Sequence, residues 1–142
     1  NVTVQYSHTR TQNNQGQSAI LHGVQAGYGT LLWEPTEYMK VSAEGLLDTG
    51  FSKNGWSVGA GIALKNFVGL DFNILGKGLP IGAYVKAGPQ LNYARLYGDG
   101  SFGVGVAGAA GVTIFGIDAE LTRTLATNKD DYGFRLGATV KF

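Results

Sequence analysis

The chain has 142 residues, of which 44% are hydrophobic, 11% aromatic and only 15% charged, with a formal net charge of +1 and no cysteine. This length fits a single domain, which we expect to span residues 1–142. The small and scattered charge excludes the basic footprint of a nucleic-acid-binding protein. The lack of cysteine excludes a disulfide framework, thiolate catalysis and cysteine metal sites. Soluble domains average about 25% charged residues, so this composition favours a surface that meets lipid.

Two further features restrict how such a chain could enter a membrane. Glycine is abundant, with 23 residues, and no apolar run approaches the ~18 residues of a membrane-spanning helix. A membrane location would therefore require strands. The chain begins directly with strand-like residues and without a charged, apolar leader, which indicates that a signal peptide was either removed or never present.

Apolar and polar residues alternate in segments along the whole chain, and a period of two is typical of strands. The polar run at residues 10–18 predicts the longest loop, and Phe115-Gly116 predicts a two-residue hairpin turn because the apolar phase reverses there. In chain order, the alternating segments are residues 2–7, 20–32, 39–47, 56–64, 68–74, 81–97, 102–114, 117–124 and 132–142. The residues between them are predicted to be loops or turns, among them a loop at 48–55 and a short turn at 65–67.

The number of segments is odd, whereas single-chain bacterial membrane barrels have an even number of strands. Continuing a strand through Lys65-Asn66 gives eight strands, although Asn66 then lies on the apolar face. A turn at Gly88-Pro89 gives ten instead. We predict an all-β fold, a closed antiparallel up-and-down transmembrane β-barrel, with eight strands favoured by the chain length and ten as the alternative.

The residues opposite the apolar face are mostly Gly, Ala and Ser with isolated charges. Small residues suit the interior of a narrow barrel, whereas the outer face of a soluble barrel would have to be polar. This favours a polar interior and an apolar exterior. Because buried charges must be paired, the balanced charges of the polar face predict a lumenal charge network of Lys40, Glu44, Asp71, Lys86, Asp118, Glu120, Arg135 and Lys141.

Aromatic residues lie near the strand ends, as in the two aromatic girdles of a membrane barrel. The predicted girdle consists of Trp33, Tyr38, Trp56, Phe67, Phe102, Phe115, Tyr132 and Phe142. The same pattern also fits the core aromatics of a soluble β-sandwich or lipocalin-like barrel, which is the soluble alternative.

The sequence offers little catalytic chemistry. Ser7 and His8 point to opposite faces of a strand, so they cannot act as partners. A lipid hydrolase that uses His8 or His22 is the enzymatic alternative, and two histidines without neighbouring carboxylates make a poor metal site. The Gly-x-Gly patterns open no helix after a strand, which excludes a dinucleotide site. We therefore predict no catalytic, metal or cofactor site.

The last segment, residues 132–142, alternates the apolar side chains of Phe134, Leu136, Val140 and Phe142 with polar or small residues. An alternating last strand that ends on Phe resembles the terminal signal of bacterial outer-membrane β-barrels. In that class the signal is read by the barrel-assembly machinery. The resemblance implies that these four residues form an assembly strand, that the machinery is a partner, and that the protein lies in a Gram-negative outer membrane.

The predicted function is a non-enzymatic outer-membrane barrel in contact with membrane lipid or detergent, with a structural or a loop-mediated binding or adhesion role. Residues 10–18, 51–54 and 127–131 would form the loops that contact an extracellular ligand. One alternative is a narrow, porin-like pore or transport barrel for small solutes. Another is a soluble barrel or sandwich that binds an apolar ligand.

Overall fold

The computed structural model describes residues 2–74 and 77–140, with the side chains of residues 71–79 and 140 outside the description. Each strand pairs antiparallel with the next, and the first also pairs with the last, which closes an up-and-down barrel. The predicted all-β fold with eight strands is confirmed, and the ten-strand alternative is wrong. The strands are β1 (Val2–Asn13), β2 (Ser18–Thr36), β3 (Met39–Ser52), β4 (Gly55–Ile74), β5 (Lys77–Leu96), β6 (Asp99–Ile114), β7 (Ile117–Ala126) and β8 (Lys129–Val140).

Strand β4 continues through Lys65 and Asn66, the place where two alternating segments merge. Lys65 turns inward, and its Nζ lies 4.2 Å from the centre of the Tyr84 ring. Asn66 lies exposed on the outer face. The strand therefore includes both polar residues without a turn, and β4 reaches 20 residues.

Strand β5 likewise continues through Gly88-Pro89, although proline has no N–H to donate to a ladder. Pro89 is in register with Val106 of β6, while the β4–β5 pairs between described residues skip Pro89. Gly88 lets β4 approach closely, because a Cβ at Gly88 would overlap the carbonyl oxygen of Ile62. The Gly-Pro pair is thus accommodated as a local irregularity of one ladder.

Short connections join the strands at both ends of the barrel. The lower end carries the turns at residues 37–38 and 115–116. Phe115 and Gly116 have φ values of 50° and 82°, as a type I′ hairpin requires. The upper end carries the hairpins at residues 14–17, 53–54, 97–98 and 127–128.

The upper hairpins are shorter than the sequence predicts. The polar run at residues 10–18 is mostly strand, since β1 ends only at Asn13 and β2 begins at Ser18. The predicted loops 51–54 and 127–131 also reduce to two-residue turns. Polar composition indicated loops here because it cannot distinguish a turn from a strand that continues into water.

Polar side chains face the interior and apolar side chains face outward. Leu121 is 72% exposed and Ile62 is 64% exposed, whereas Asp118 inside is 1% exposed. Exceptions include Phe67 and a small apolar cluster of Ala19, Leu21 and Leu96, which lies inside near the upper end. No helix in the described part of the chain is long and apolar enough to cross a membrane.

Candidate functional site

The middle of the lumen contains a network of ion pairs that joins four strands. Arg135 on β8 reaches Glu120 on β7 at 3.0 Å and Asp48 on β3 at 3.5 Å. Lys86 on β5 lies 3.4 Å from Glu120 and 3.9 Å from Glu44 on β3. These five side chains, which we call the lumen network, link opposite walls of the barrel.

Hydrogen bonds from neutral side chains extend the lumen network. The hydroxyl of Tyr84 donates to the second carboxylate oxygen of Glu120 at 2.5 Å. Gln90 donates to Asp48 at 3.2 Å. The carboxylate of Glu120 therefore contacts two cations and accepts a hydrogen bond from a hydroxyl. These contacts offset the free-energy cost of burying its charge.

The strand register explains why Glu120 and Arg135 meet. They are direct cross-strand partners in the β7–β8 pair, and both residues lie on the inward phase of their strands. Opposite residues on one face of an antiparallel pair have their Cβ atoms about 5 Å apart, close enough for a side-chain ion pair. The β7–β8 hairpin alone positions this part of the network.

Polar layers lie on both sides of the lumen network. Towards the lower end, Asp118 accepts hydrogen bonds from Thr113 and Thr139, each at 2.6 Å. Towards the upper end, Lys129 and Asp131 form an ion pair of 2.7 Å, with side chains 6% and 9% exposed. Both layers bury polar groups that are paired with one another.

The side chains leave little space at the level of the lumen network. Two cavities adjoin Asp48, Gln90 and Arg135, and each has a volume of about 30 Å³. One water molecule needs roughly 10–15 Å³ of such space, so each cavity has room for only a few water molecules. Side chains therefore occupy most of the cross-section at this level, as in narrow eight-stranded barrels.

The structure brings together most of the described residues of the predicted charge network. Glu44, Lys86, Asp118, Glu120 and Arg135 are buried in the lumen. Lys40 lies on the inward phase of β3 and is half-buried. Two further predicted members, the side chain of Asp71 and residue Lys141, lie outside the described residues.

Sequence reasoning missed four charged residues of the interior, Asp48, Lys65, Lys129 and Asp131, because it assigned them to loops or turns. A signal was present for three of them. Asp48 continues the even-numbered phase of Glu44, and Lys129 and Asp131 continue the odd-numbered phase of Arg135. Extending the period of two through the polar runs would have placed all three inside.

Six of the predicted girdle residues are exposed on the barrel: Trp33, Tyr38, Trp56, Phe102, Phe115 and Tyr132. The prediction that Phe67 belongs to the girdle is wrong, because its side chain is 9% exposed and points inward. The uninterrupted β4 gives Phe67 the same phase as Lys65, and its ring fills space beside Gly82, where a Cβ would lie 2.7 Å from the ring. Phe142 lies outside the described residues. Two outward aromatics that the prediction omitted, Phe51 and Tyr93, adjoin Trp56.

The predicted assembly strand presents its described apolar side chains outward. Phe134 is 40% exposed and Leu136 is 49% exposed on the outer face of β8. The side chain of Val140 and residue Phe142 lie outside the described part of the chain.

The two histidines form an aromatic cluster on the outer face. His8 and His22 are cross-strand partners with ring centroids 4.8 Å apart. His8 stacks on Phe134, and Tyr6 is hydrogen-bonded to His22. Ser7 is buried on the opposite face. Within the described ranges, no group of three or more His, Cys, Asp or Glu residues could hold a metal ion.

An apolar outer face around a charged, ion-paired interior inverts the pattern of a soluble barrel. Together with closure and eight antiparallel strands, this inversion defines a small transmembrane β-barrel.

Solved structures of two proteins share the fold at low sequence identity. The attachment invasion locus protein Ail of Yersinia pestis is 14% identical, with 96% of this chain and 93% of that chain covered at a TM-score of 0.59. Neisserial surface protein A (NspA) is 18% identical, with coverage of 99% and 96% at a TM-score of 0.57. Ail in complex with the heparin analogue sucrose octasulfate matches at a TM-score of 0.58. Both proteins are small outer-membrane barrels of eight strands. No family model and no curated protein sequence matches the chain.

Proposed function

We propose that this protein is a non-enzymatic, non-conducting barrel of a Gram-negative outer membrane, whose upper end contacts molecules outside the cell. The lumen network is the observation that carries this proposal. Five paired charges from β3, β5, β7 and β8 fill the cross-section, and their burial is compatible with stability only while they remain paired.

The lumen network argues against the narrow pore. A conducting lumen needs a continuous aqueous path, whereas the cavities beside Arg135 hold about 30 Å³ each. Conductance across planar bilayers tests this point. We expect the inserted barrel to show no reproducible channels, and stable unitary conductance would contradict the closed lumen.

The outer membrane is the location supported by the apolar outer face and by the fold shared with Ail and NspA. The assembly strand of β8 would be the part read by the barrel-assembly machinery. Fractionation tests the location: the chain should sediment with outer membranes and migrate on gels at a heat-modifiable position, as a closed barrel does. A water-soluble monomer would contradict the proposal.

A binding role at the upper end is supported by its compact, polar surface. Asn14 donates to the carbonyl of Thr127 at 2.7 Å, and the Tyr97 hydroxyl donates to the carbonyl of Ser18 at 2.7 Å. These bonds hold separate hairpins together. A depression of about 290 Å³ lies between them, lined in part by Asn13, Asn14, Gln15, Ser101 and Asn128.

This upper depression offers amide and hydroxyl groups suited to a polar ligand. Ail provides a precedent for ligand binding on this fold, since its structure was solved with a heparin analogue. Binding of intact cells to immobilised extracellular-matrix glycans tests the role. Loss of glycan binding when Asn14 and Gln15 are replaced by Ala would support the upper depression as the binding site. Unchanged binding would contradict it.

A further inference from the structure

Charged residues on the outer face of the barrel are distributed unequally between its two ends. Among the described side chains, every outward cation lies at the upper end, whereas Glu34 and Glu37 are exposed at the lower end. The upper cations are Arg10, Lys53, Arg95 and Arg123, all of them exposed. Two acidic residues, Asp99 and Asp130, accompany them, so the upper rim carries a net positive charge.

Two of these cations line one groove. A groove of about 430 Å³ lies between the β1–β2 and β3–β4 hairpins, and Arg10 and Lys53 stand on its two sides. Ser18, Ser52 and Asn54 add polar groups to its walls, and Ile20 contributes an apolar surface. We call it the Arg10–Lys53 groove.

The cations of this groove have no carboxylate partner within the described residues, unlike Arg123, which forms an ion pair of 3.0 Å with Asp130. Arg10 instead donates a hydrogen bond of 3.1 Å to the hydroxyl of Tyr132. This bond orients the guanidinium group and leaves its charge uncompensated. Guanidinium and ammonium groups are strong donors to phosphate oxygens.

The groove also lies at the boundary of the apolar belt. Along the outer face of β1, Val4, Tyr6 and His8 precede Arg10, and on β3, Leu47 and Phe51 precede Lys53. Arg10 and Ile20 are cross-strand partners. A charged group of a lipid would meet the groove while its acyl chains lie along this apolar surface.

We propose that the Arg10–Lys53 groove binds the phosphate group of a lipid in the membrane leaflet at the upper end. This inference rests on the proposed membrane location. Arg10 and Lys53 supply the two positive charges, and the hydroxyls of Ser18 and Ser52 supply further donors. Cations near an anionic lipid surface favour binding by about 1 kcal/mol each, and two of them together correspond to about 30-fold in affinity.

Native mass spectrometry of the detergent-solubilised barrel tests the proposal with diphosphoryl lipid A as probe. The wild-type barrel should bind this lipid about 30-fold more tightly than the same lipid without its phosphates. Equal affinity for the two lipids would overturn the proposal. This arm needs no variant and is therefore independent of any folding defect.

Matched variants locate the site. Replacing Arg10 and Lys53 by Gln should weaken lipid A binding about 30-fold. The control replaces Arg95 and Arg123 by Gln, which removes the same number of upper cations outside the groove, and should change affinity less than about threefold. Equal losses in the two double variants would overturn the groove as the site.

Two competitors separate the source of the phosphate. Inorganic phosphate and sucrose octasulfate should leave lipid A bound, because neither can use the apolar surface below the groove. Displacement of the lipid by either competitor would overturn the assignment to a lipid. Heat-modifiable migration of each variant on gels shows whether the closed barrel has formed. Loss of this migration would count against the proposed membrane barrel, whereas unchanged migration without selective lipid A binding would count against the groove alone.

Discussion

Two arginine–carboxylate pairs join the same two strands, β7 and β8, at the same distance of 3.0 Å. Glu120 and Arg135 lie in the lumen with side chains 0% and 9% exposed, whereas Arg123 and Asp130 lie outside near the upper end with 58% and 45% exposed. The inner residues are direct cross-strand partners joined by one contact, whereas the outer residues lie diagonally and are joined by two hydrogen bonds. The larger difference is their environment. The inner pair is part of the side-chain packing that fills the barrel. The attraction within the outer pair is weakened by water and screened by salt.

The comparison shows where the stability of this barrel originates. In a soluble domain the buried layer is apolar, but here buried positions such as Asp118, Glu120 and Thr113 are polar. Their stabilising role depends on complete pairing, because an unpaired buried charge costs several kcal/mol. The apolar residues face outward and contribute when the surrounding medium is lipid.

The largest expected effect comes from breaking the inner pair. Glu120→Ala leaves Lys86 and Arg135 without their shared carboxylate, and we expect a loss of about 3–5 kcal/mol in the free energy of unfolding. Urea unfolding of the barrel in detergent measures this loss. A change below about 1 kcal/mol would show that the lumen is hydrated well enough to solvate both cations.

The next prediction adds a positive charge to the outer face of β8. Leu136→Arg places a guanidinium on the outer face, beside the inward Arg135, and should destabilise the inserted barrel by about 2–4 kcal/mol near the bilayer midplane. Thr139→Ser is the control, since a hydroxyl can still donate to Asp118. Insertion into lipid vesicles, followed by the heat-modifiable gel shift, reports the difference. Normal insertion of the Arg variant would mean that the two faces are assigned wrongly.

A third prediction compares a glycine on each face. Gly88→Ala introduces a Cβ that would overlap the carbonyl oxygen of Ile62, whereas a Cβ at Gly45 meets nothing within 4 Å. We expect Gly88→Ala to cost about 1–3 kcal/mol through overpacking, and Gly45→Ala to change stability by less than about 0.5 kcal/mol. The midpoints of urea unfolding give both values. Equal effects would contradict the close approach of β4 to β5.

The smallest effect is expected for the outer pair. Asp130→Ala removes the partner of Arg123, and exposed pairs of this kind contribute about 0–1 kcal/mol. The same urea experiment that is used for Glu120→Ala provides the comparison. A loss as large as that of Glu120→Ala would remove the distinction between the two pairs.

The period of two predicted the barrel and the inward phase of residues such as Glu120 and Arg135, and the chain length favoured eight strands. It could not predict that these two residues face each other, because that contact depends on the register of the β7–β8 hairpin. Phe67 was assigned wrongly because a turn was allowed at Lys65-Asn66, and any error in a strand boundary changes the face of the residues that follow.

Polar runs were the second source of error. Asp48, Lys129 and Asp131 were assigned to loops, although their phase matches the lumen. In an ordinary domain, a polar run between apolar segments is a loop; in a barrel with a polar interior, the strand can continue while its surroundings change. The distribution of outward cations at the upper rim also required the structure, since it depends on which end and which face each side chain occupies.

The inverted pattern of polar and apolar residues requires that the outer face of the barrel contacts lipid. The direct measurement is fluorescence quenching of Leu136→Trp, in a background with Trp33 and Trp56 replaced by Phe, after reconstitution into vesicles of lipids brominated on their acyl chains. We expect strong quenching by the brominated chains and weak quenching by aqueous iodide. Quenching by iodide without quenching by brominated lipid would contradict it and would favour a soluble barrel.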